Sequence, residues 1–147
     1  MRRALYPAIP VVFTAFIMPG CAVNTANVTS PMAGLDCVDD SPECVQKRKT
    51  TLGYMMNDTS RAWVRQAPSA HAYASGVRLF AFRKKKSDLT CDELKIGSSE
   101  ASNAGTILRG PQGNSLSPAQ ISRGMILAVE VDRDLRRELK RRCKASA

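Results

Sequence analysis

Five cysteines and one histidine are the first candidates in this 147-residue chain for a transition-metal site or for covalent chemistry. The cysteines are Cys21, Cys37, Cys44, Cys91 and Cys143. The last four are separated by six, 46 and 51 residues, so no pair has the C-x₂₋₄-C spacing that is typical of zinc sites. With only one histidine to add to them, we expect no metal site.

The single histidine, His71, is the one candidate general base. A general base needs a nucleophile and an orienting partner, and no motif in the sequence indicates either of them. An acidic group near residue 40 lacks the EF-hand calcium pattern, and it suits a helix N-terminus instead. Its members are Asp36, Asp39, Asp40 and Glu43. Since no nucleotide-binding, hydrolase or metalloprotease motif is present either, we expect no cofactor and no enzymatic activity.

Residues 1–20 have the three parts of a secretory signal peptide. Arg2 and Arg3 are basic, residues 4–18 are almost wholly apolar, and small residues follow. A transmembrane helix would need about 20 consecutive apolar residues. This run has only 15 residues, and two of them are prolines, which interrupt helical hydrogen bonding. The sequence therefore predicts export, followed by removal of residues 1–20.

Met18-Pro19-Gly20-Cys21 resembles the lipobox of bacterial lipoproteins. Gly20 and Cys21 match the positions that cleavage needs, whereas the family prefers leucine at the position of Met18. The resemblance covers about the first 21 residues. It implies that Cys21 becomes the first mature residue, carries diacylglycerol on its thiol and is acylated on its amine by a fatty acid such as palmitate. Two or three such chains form a firm membrane anchor. Ala22 replaces the aspartate that retains lipoproteins in the inner membrane, which favours the outer membrane, facing the periplasm.

The mature chain would be strongly basic. Residues 1–20 carry two of the 22 Lys and Arg residues and no acidic residue, which leaves 20 basic against 13 acidic side chains. This excess favours anionic partners such as lipid headgroups, envelope polymers or an acidic protein surface. Nucleic acid is not expected, because an exported chain rarely meets it and few aromatic side chains are present to stack on bases.

The composition divides the mature chain into a tether, residues 21–35, and a folded domain, residues 36–147. Residues 22–35 carry no charge and show no clear periodicity. A first helix is predicted from Pro42 to about Arg65, with a kink or a division into two helices as the alternative at residues 57–60. A second helix follows Ser69, although residues 76–84 could form a strand instead.

Two further helices have clear start signals. Thr90 and Glu93 form a capping box for a third helix, which is predicted to end near Asn103 because Gly105 can stop it. Residues 118–142 are predicted to form a fourth helix after Ser117. Within it, residues 125–131 are apolar nearly all round, so we expect that half to be deeply buried. The predicted fold is mainly α, a small disulfide-linked bundle of about four helices.

The helices suggest how the cysteines pair. Once Cys21 carries lipid, four cysteines remain, which in an exported chain is typical of two disulfides with three open pairings. If the third and fourth helices pack antiparallel, the start of one lies beside the end of the other, which brings Cys91 next to Cys143. The remaining pair, Cys37 and Cys44, would join the tether to the first helix. We favour these two pairings.

Three basic clusters are the candidate contacts for an anionic partner. They are Lys47, Arg48 and Lys49; Arg83, Lys84, Lys85 and Lys86; and Arg136, Arg137, Lys140 and Arg141. The alternative for each cluster is a solvated surface without a ligand. Asp132 lies on the apolar side of the last helix, and Arg136, one turn later, is its predicted partner.

These features predict a lipid-anchored protein of the bacterial envelope, whose helical domain is an accessory or adaptor for another envelope component. One alternative is a protein that binds anionic envelope polymers, such as lipopolysaccharide or cell wall, through the basic clusters. A second is a purely structural lipoprotein without a dedicated ligand. A hydrolase would need an activity that depends on His71.

Overall fold

The computed structural model of the protein describes residues 30–143, and this region is helical. The α-helices are α1 (Pro42–Asn57), α2 (Ala70–Ser75), α3 (Val77–Lys85), α4 (Cys91–Arg109) and α5 (Pro118–Arg142). Short 3-10 helices occur at Ala33–Leu35, Ala62–Arg65 and Pro111–Gly113. No strand is present within the described region, which confirms the predicted mainly α bundle. The predicted signal peptide, the lipobox and residues 21–29 lie outside it.

The predicted second helix is divided at Gly76, which gives five α-helices instead of four. Gly76 has a φ of +74°, a backbone conformation that glycine adopts without strain. Its N–H donates to the Tyr73 carbonyl at 3.1 Å, which ends α2, and α3 begins at the next residue. Residues 76–84 are therefore not a strand.

The predicted first helix is also divided. α1 ends at Asn57, and the Asp58 carboxylate accepts hydrogen bonds from the backbone N–H groups of Ser60 and Ala62 at 2.9 and 3.1 Å. A short polar side chain that bonds nearby backbone in this way competes with helix formation. The prediction of one continuous helix to Arg65 was wrong. The chain follows the alternative, a division at residues 57–60 into two shorter helices, the second of which is the 3-10 helix Ala62–Arg65.

The predicted end of the third helix near Asn103 was wrong. α4 passes through Gly105 and ends at Arg109, so only residues 110–117 separate it from α5. Ala104 and Leu108, which face the core just before and just after Gly105, are fully buried. Their burial offsets the cost of about 1 kcal/mol that glycine adds inside a helix.

Residues 30–35 belong to the folded domain, although the sequence assigned them to the tether. The Gly34 N–H donates to Thr51 Oγ1 at 2.9 Å, and that hydroxyl donates to the Pro31 carbonyl at 2.7 Å. Met32 and Leu35 pack against the core. The predicted domain boundary at Asp36 is therefore at least six residues too late.

Both predicted disulfides are present. Cys91, the first residue of α4, is joined to Cys143, which follows α5, and their Cα atoms are 5.7 Å apart. Cys37 is joined to Cys44 in the first turn of α1, with a Cα–Cα distance of 5.3 Å. The first bond confirms the antiparallel arrangement of α4 and α5.

Three helices meet at Gly97, in the middle of α4. A Cβ atom added there would lie 2.6 Å from the ring of Phe82 on α3 and 3.0 Å from Leu135 on α5. Gly97→Ala should therefore overpack the core and lower the free energy of unfolding by about 1–3 kcal/mol. Denaturation in urea measures this change.

Gly53→Ala is the matched control for Gly97→Ala. Gly53 lies inside α1, and no atom would come within 4 Å of an added Cβ. The same substitution should here raise the free energy of unfolding by about 0.5–1 kcal/mol, because alanine loses less backbone entropy in a helix. Equal effects at the two glycines would contradict the packing around Gly97.

Candidate functional site

The outward face of α5 carries an exposed stripe that we call the outer stripe. Its residues recur at alternating intervals of three and four, the spacing that places side chains in one row along a helix. The outer stripe consists of Ala119, Ser122, Ile126, Val129, Arg133, Arg136 and Lys140. Its N-terminal part is uncharged and its C-terminal part is basic, so the face changes character halfway along the helix.

The deep burial expected for residues 125–131 was wrong on this face. Ala128 and Val131 are buried, but the side chains of Ile126 and Val129 are 62% and 69% exposed. Two residues correspond to about 200° around an α-helix, so a position two residues from a buried one points away from the core. α5 is covered on one side only, and the apolar run in the sequence cannot show on how many sides a helix is covered.

α5 is fixed along its length, so the outer stripe is held on a firm support. Ser117 and Gln120 form a capping box at its start. In the middle, the Ser98 hydroxyl on α4 donates to Asp132 at 2.7 Å, and Arg136 pairs with the same carboxylate at 2.7 Å, as predicted. At its end, Arg142 donates to the Ser87 carbonyl at 2.6 Å, and the Cys91–Cys143 disulfide adds a covalent tie.

Two of the three predicted basic clusters come together between α3 and α5. Asp134 lies between them and pairs with Arg83 at 3.1 Å, with Lys86 at 3.7 Å and with Arg137. One turn later, Glu138 pairs with Arg141 at 2.5 Å. These cations largely neutralise buried carboxylates, which reduces the positive charge that they can offer to a ligand.

The remaining members of these two clusters differ in their contacts. Lys85 pairs with Asp88 at 3.7 Å, and the Lys84 ammonium lies 5.3 Å from the centre of the Phe80 ring. Lys140 is exposed and makes no ion pair within the described residues. The clusters therefore leave few free cations, and Lys140 at the end of the outer stripe is one of them.

The cluster on α1 is also partly engaged. Lys47 pairs with Glu43 at 2.7 Å. The Arg48 guanidinium donates to the Cys37 carbonyl at 3.1 Å and pairs with Asp40 at 3.3 Å. Lys49 is exposed and makes no ion pair within residues 30–143. The structure thus uses Arg48 to hold the segment before α1.

The pKa values of Asp134 and Glu138 are lowered. Burial raises the pKa of Asp134, but the hydrogen bond from Arg137 and the charges of Lys86 and Arg83 lower it further than burial raises it. The hydrogen bond from Arg141 and its charge lower the pKa of Glu138. Both carboxylates therefore stay ionised to lower pH in the folded chain than in the unfolded chain.

These shifts predict a loss of stability in acid. A carboxylate with a lowered folded-state pKa stabilises the fold above its unfolded pKa, and this is lost as the pH falls through the folded-state value. The ordinary values here are 3.8 for Asp134 and 4.5 for Glu138, so the melting temperature should fall steadily below about pH 5. Melting curves between pH 2 and 7 measure this.

Two variants test the source of the acid sensitivity. Glu138→Gln should flatten the fall of the melting temperature, because one of the carboxylates with a lowered folded-state pKa is gone. Asp92→Asn should leave the slope of the melting temperature against pH unchanged, since Asp92 is exposed and its ion pair within residues 30–143 is with exposed, nearby Lys95. An equal slope in wild type and Glu138→Gln would contradict the role given to Glu138.

The Ser115 hydroxyl lies 3.3 Å from Nε2 of His71. No carboxylate bonds to its ring within the described residues, so the geometry offers no orienting partner for a general base. Residues 30–143 contain no cluster of three potential metal ligands. In the same region, none of the helices is long and apolar enough to cross a bilayer.

No protein-family model, no curated protein and no solved structure matches the chain. The features of the surface therefore carry the functional argument. The sequence predicted the basic clusters but missed Ile126 and Val129. A helical projection places these two residues opposite Ala128 and Val131, and this was the sequence signal that could have indicated their exposure.

Proposed function

We propose that the protein is a lipid-anchored component of the bacterial envelope whose helical domain binds another envelope protein through the outer stripe. The lipobox resemblance at Cys21 supports the anchor. The exposure of Ile126 and Val129, side by side on a firmly held helix, is the observation that supports the binding role. Burial of such side chains is the main favourable term in protein association.

The state of the basic clusters favours a protein partner over an anionic polymer. Polymer binding by charge needs cations that are free to exchange their counterions. Eight of the eleven candidate contacts already pair with carboxylates: Lys47, Arg48, Arg83, Lys85, Lys86, Arg136, Arg137 and Arg141. The apolar part of the outer stripe is not engaged in such ion pairs, so fewer existing interactions have to be broken when it contacts another molecule.

The change of character along the outer stripe defines the chemistry of the partner. A matching surface would be apolar opposite Ile126 and Val129 and acidic opposite Arg133 and Lys140. The acidic part would orient the partner along α5, while the apolar part would supply most of the affinity. The partner surface is therefore an amphipathic segment with Asp or Glu at one end.

Photo-crosslinking in the cell tests this proposal. A photoreactive amino acid replaces Ser122, which lies between the apolar positions of the outer stripe, and a matched one replaces exposed Lys95 on α4. We expect one reproducible protein adduct from position 122, none from position 95, and loss of the first adduct when Ile126→Glu is added. Absence of an adduct at position 122 would overturn the proposal.

The salt dependence of the non-covalent complex, formed without irradiation between the protein and the partner that crosslinking identifies, separates protein docking from polymer binding. Ile126→Ser should weaken the complex about tenfold or more, since burial of an isoleucine side chain contributes about 1.5–3 kcal/mol. Raising the ionic strength should weaken it far less, because salt screens charges and leaves apolar contacts intact. Complete loss at moderate salt with no effect of Ile126→Ser would point to a polymer.

A further inference from the structure

A groove of about 300 Å³ lies between α1, the junction of α2 with α3, and α5. Its lining is mainly hydrocarbon, and four partly buried side chains supply much of it. These are Val45, Leu52, Phe80 and Leu127. Volumes near this size and predominantly apolar walls are typical of small-molecule sites.

Gly76 gives the groove its floor. The groove passes over the junction of α2 and α3, and a Cβ atom at Gly76 would lie 2.8 Å from the Leu127 side chain. The positive φ at this residue also disfavours any larger side chain. The junction therefore approaches α5 as bare backbone, and the space above it stays open.

The rim of the groove is cationic. Arg48 and Arg123 both pair with Asp40, at 3.3 and 3.1 Å, and both donate to backbone carbonyls just before α1. Lys49 stands at the same rim and makes no ion pair within residues 30–143. Three cationic side chains thus stand beside one carboxylate, that of Asp40. The Lys49 ammonium is the positive charge that remains available to a ligand.

We propose that this groove binds a single-chain anionic amphiphile, a fatty acid, with the acyl chain on the apolar floor and the carboxylate at Lys49. A volume of about 300 Å³ lies at the lower end of the range of small-molecule sites, which suits a single acyl chain of roughly ten carbons better than a larger ligand. This inference does not depend on docking at the outer stripe, which lies on another face of α5.

Two other occupants match the groove less well. The segment just before the described domain, residues 22–29, reads AVNTANVT and has neither a long apolar side chain nor a negative charge. In a symmetric dimer formed through this groove, the cationic rims of the two copies would face each other, which is unfavourable. A fatty acid satisfies both the apolar floor and the cationic rim.

Calorimetric titration with saturated fatty acids of six to fourteen carbons, below their micelle concentrations, tests the proposal. The mature chain, residues 21–147 with Cys21→Ser, is used so that neither the apolar residues 4–18 nor a detergent competes. Affinity should rise by up to about fourfold per methylene and level off near ten carbons. Absence of saturable binding, or a rise that continues to fourteen carbons, would overturn the proposal.

Variants locate the two ends of the ligand. Lys49→Gln should weaken decanoate about two- to fivefold and leave decanol unchanged, as expected for one exposed ion pair. Val45→Trp should fill the groove and abolish binding of both, with an unchanged melting temperature as the check on folding. Lys95→Gln, the same substitution at an exposed lysine of α4, should bind decanoate as the wild type does. Unchanged decanoate affinity in Lys49→Gln would refute the assigned orientation and with it the proposal.

Discussion

Arg78→Met is expected to lower the free energy of unfolding by about 3–5 kcal/mol, the range found when one partner of a buried ion pair is removed. Arg78 is only 2% exposed, and its guanidinium donates to both oxygens of Glu100 at 2.6 and 2.8 Å. The same group donates to the carbonyls of Trp63, Val64 and Gln66. The substitution removes the Arg78 donor from a buried carboxylate and from three carbonyls, of which that of Trp63 still accepts from the Gln66 N–H. Urea denaturation at pH 7 measures the loss.

The pH dependence of this loss identifies its cause. Burial raises the pKa of Glu100 above its ordinary value, and the hydrogen bond and charge of Arg78 offset only part of this rise. Without Arg78 burial acts alone, so the folded-state pKa rises further and the folded variant prefers the protonated acid. A raised folded-state pKa lowers the free energy of unfolding most at high pH, where the carboxylate is ionised. The difference in unfolding free energy between wild type and variant should therefore shrink as the pH falls from 7 towards 4.

A double variant provides the control. Arg78→Met combined with Glu100→Leu removes both charges and should recover a large part of the lost stability, because an apolar pair of similar volume is often as stable as a buried ion pair. The guanidinium also lies 5.7 Å from the Trp63 ring centre and 5.6 Å from that of Phe82, and methionine keeps contact with both. A loss below about 1 kcal/mol in the single variant would show that Arg78 does not organise this part of the core.

Replacement of Cys91 and Cys143 by serine should cost about 4 kcal/mol. The two residues are 52 positions apart, and in the chain-entropy model a disulfide that closes a loop of this length restricts the unfolded chain by about that amount. The bond joins the start of α4 to the end of α5, so the whole fold from residue 91 onwards lies inside the loop. Chemical denaturation of the variant and the wild type gives the difference.

The Cys37–Cys44 pair is the matched control. Its members are seven positions apart, and the same model gives about 2.5 kcal/mol for so short a loop. Replacement of both residues by serine should therefore destabilise the chain less than loss of the longer bond. The reverse order of the two effects would contradict the loop-entropy account of how these bonds stabilise the fold.

Local signals made much of the fold predictable. The N-caps at Ser41, Thr90 and Ser117 bond to backbone within three residues, so the side chains that start a helix stand beside it in the sequence. The longer disulfide followed from the positions of two cysteines at helix ends. Both kinds of inference need only short stretches of chain and a simple antiparallel arrangement.

The interactions that the sequence did not predict depend on distant partners. Arg78 lies in an otherwise apolar stretch, residues 76–82, and its partner Glu100 is 22 residues away, so no local pattern pairs them. Gly105 resembled a helix stop because the burial of Leu108 was not known. The exposure of Ile126 depends on which side of α5 is covered, and that is decided by the packing of the whole bundle.

The packing of residues 30–35 against α1 also sets how far the domain can move from its anchor. If Cys21 carries the lipid, only nine residue steps separate it from Ser30, a span of at most about 32 Å, against about 50 Å for a tether that ends at residue 35. The volume available to the domain falls by about fourfold, and its effective concentration near membrane-bound partners rises by the same factor. An anchored domain of this kind is suited to capture neighbours in its own membrane.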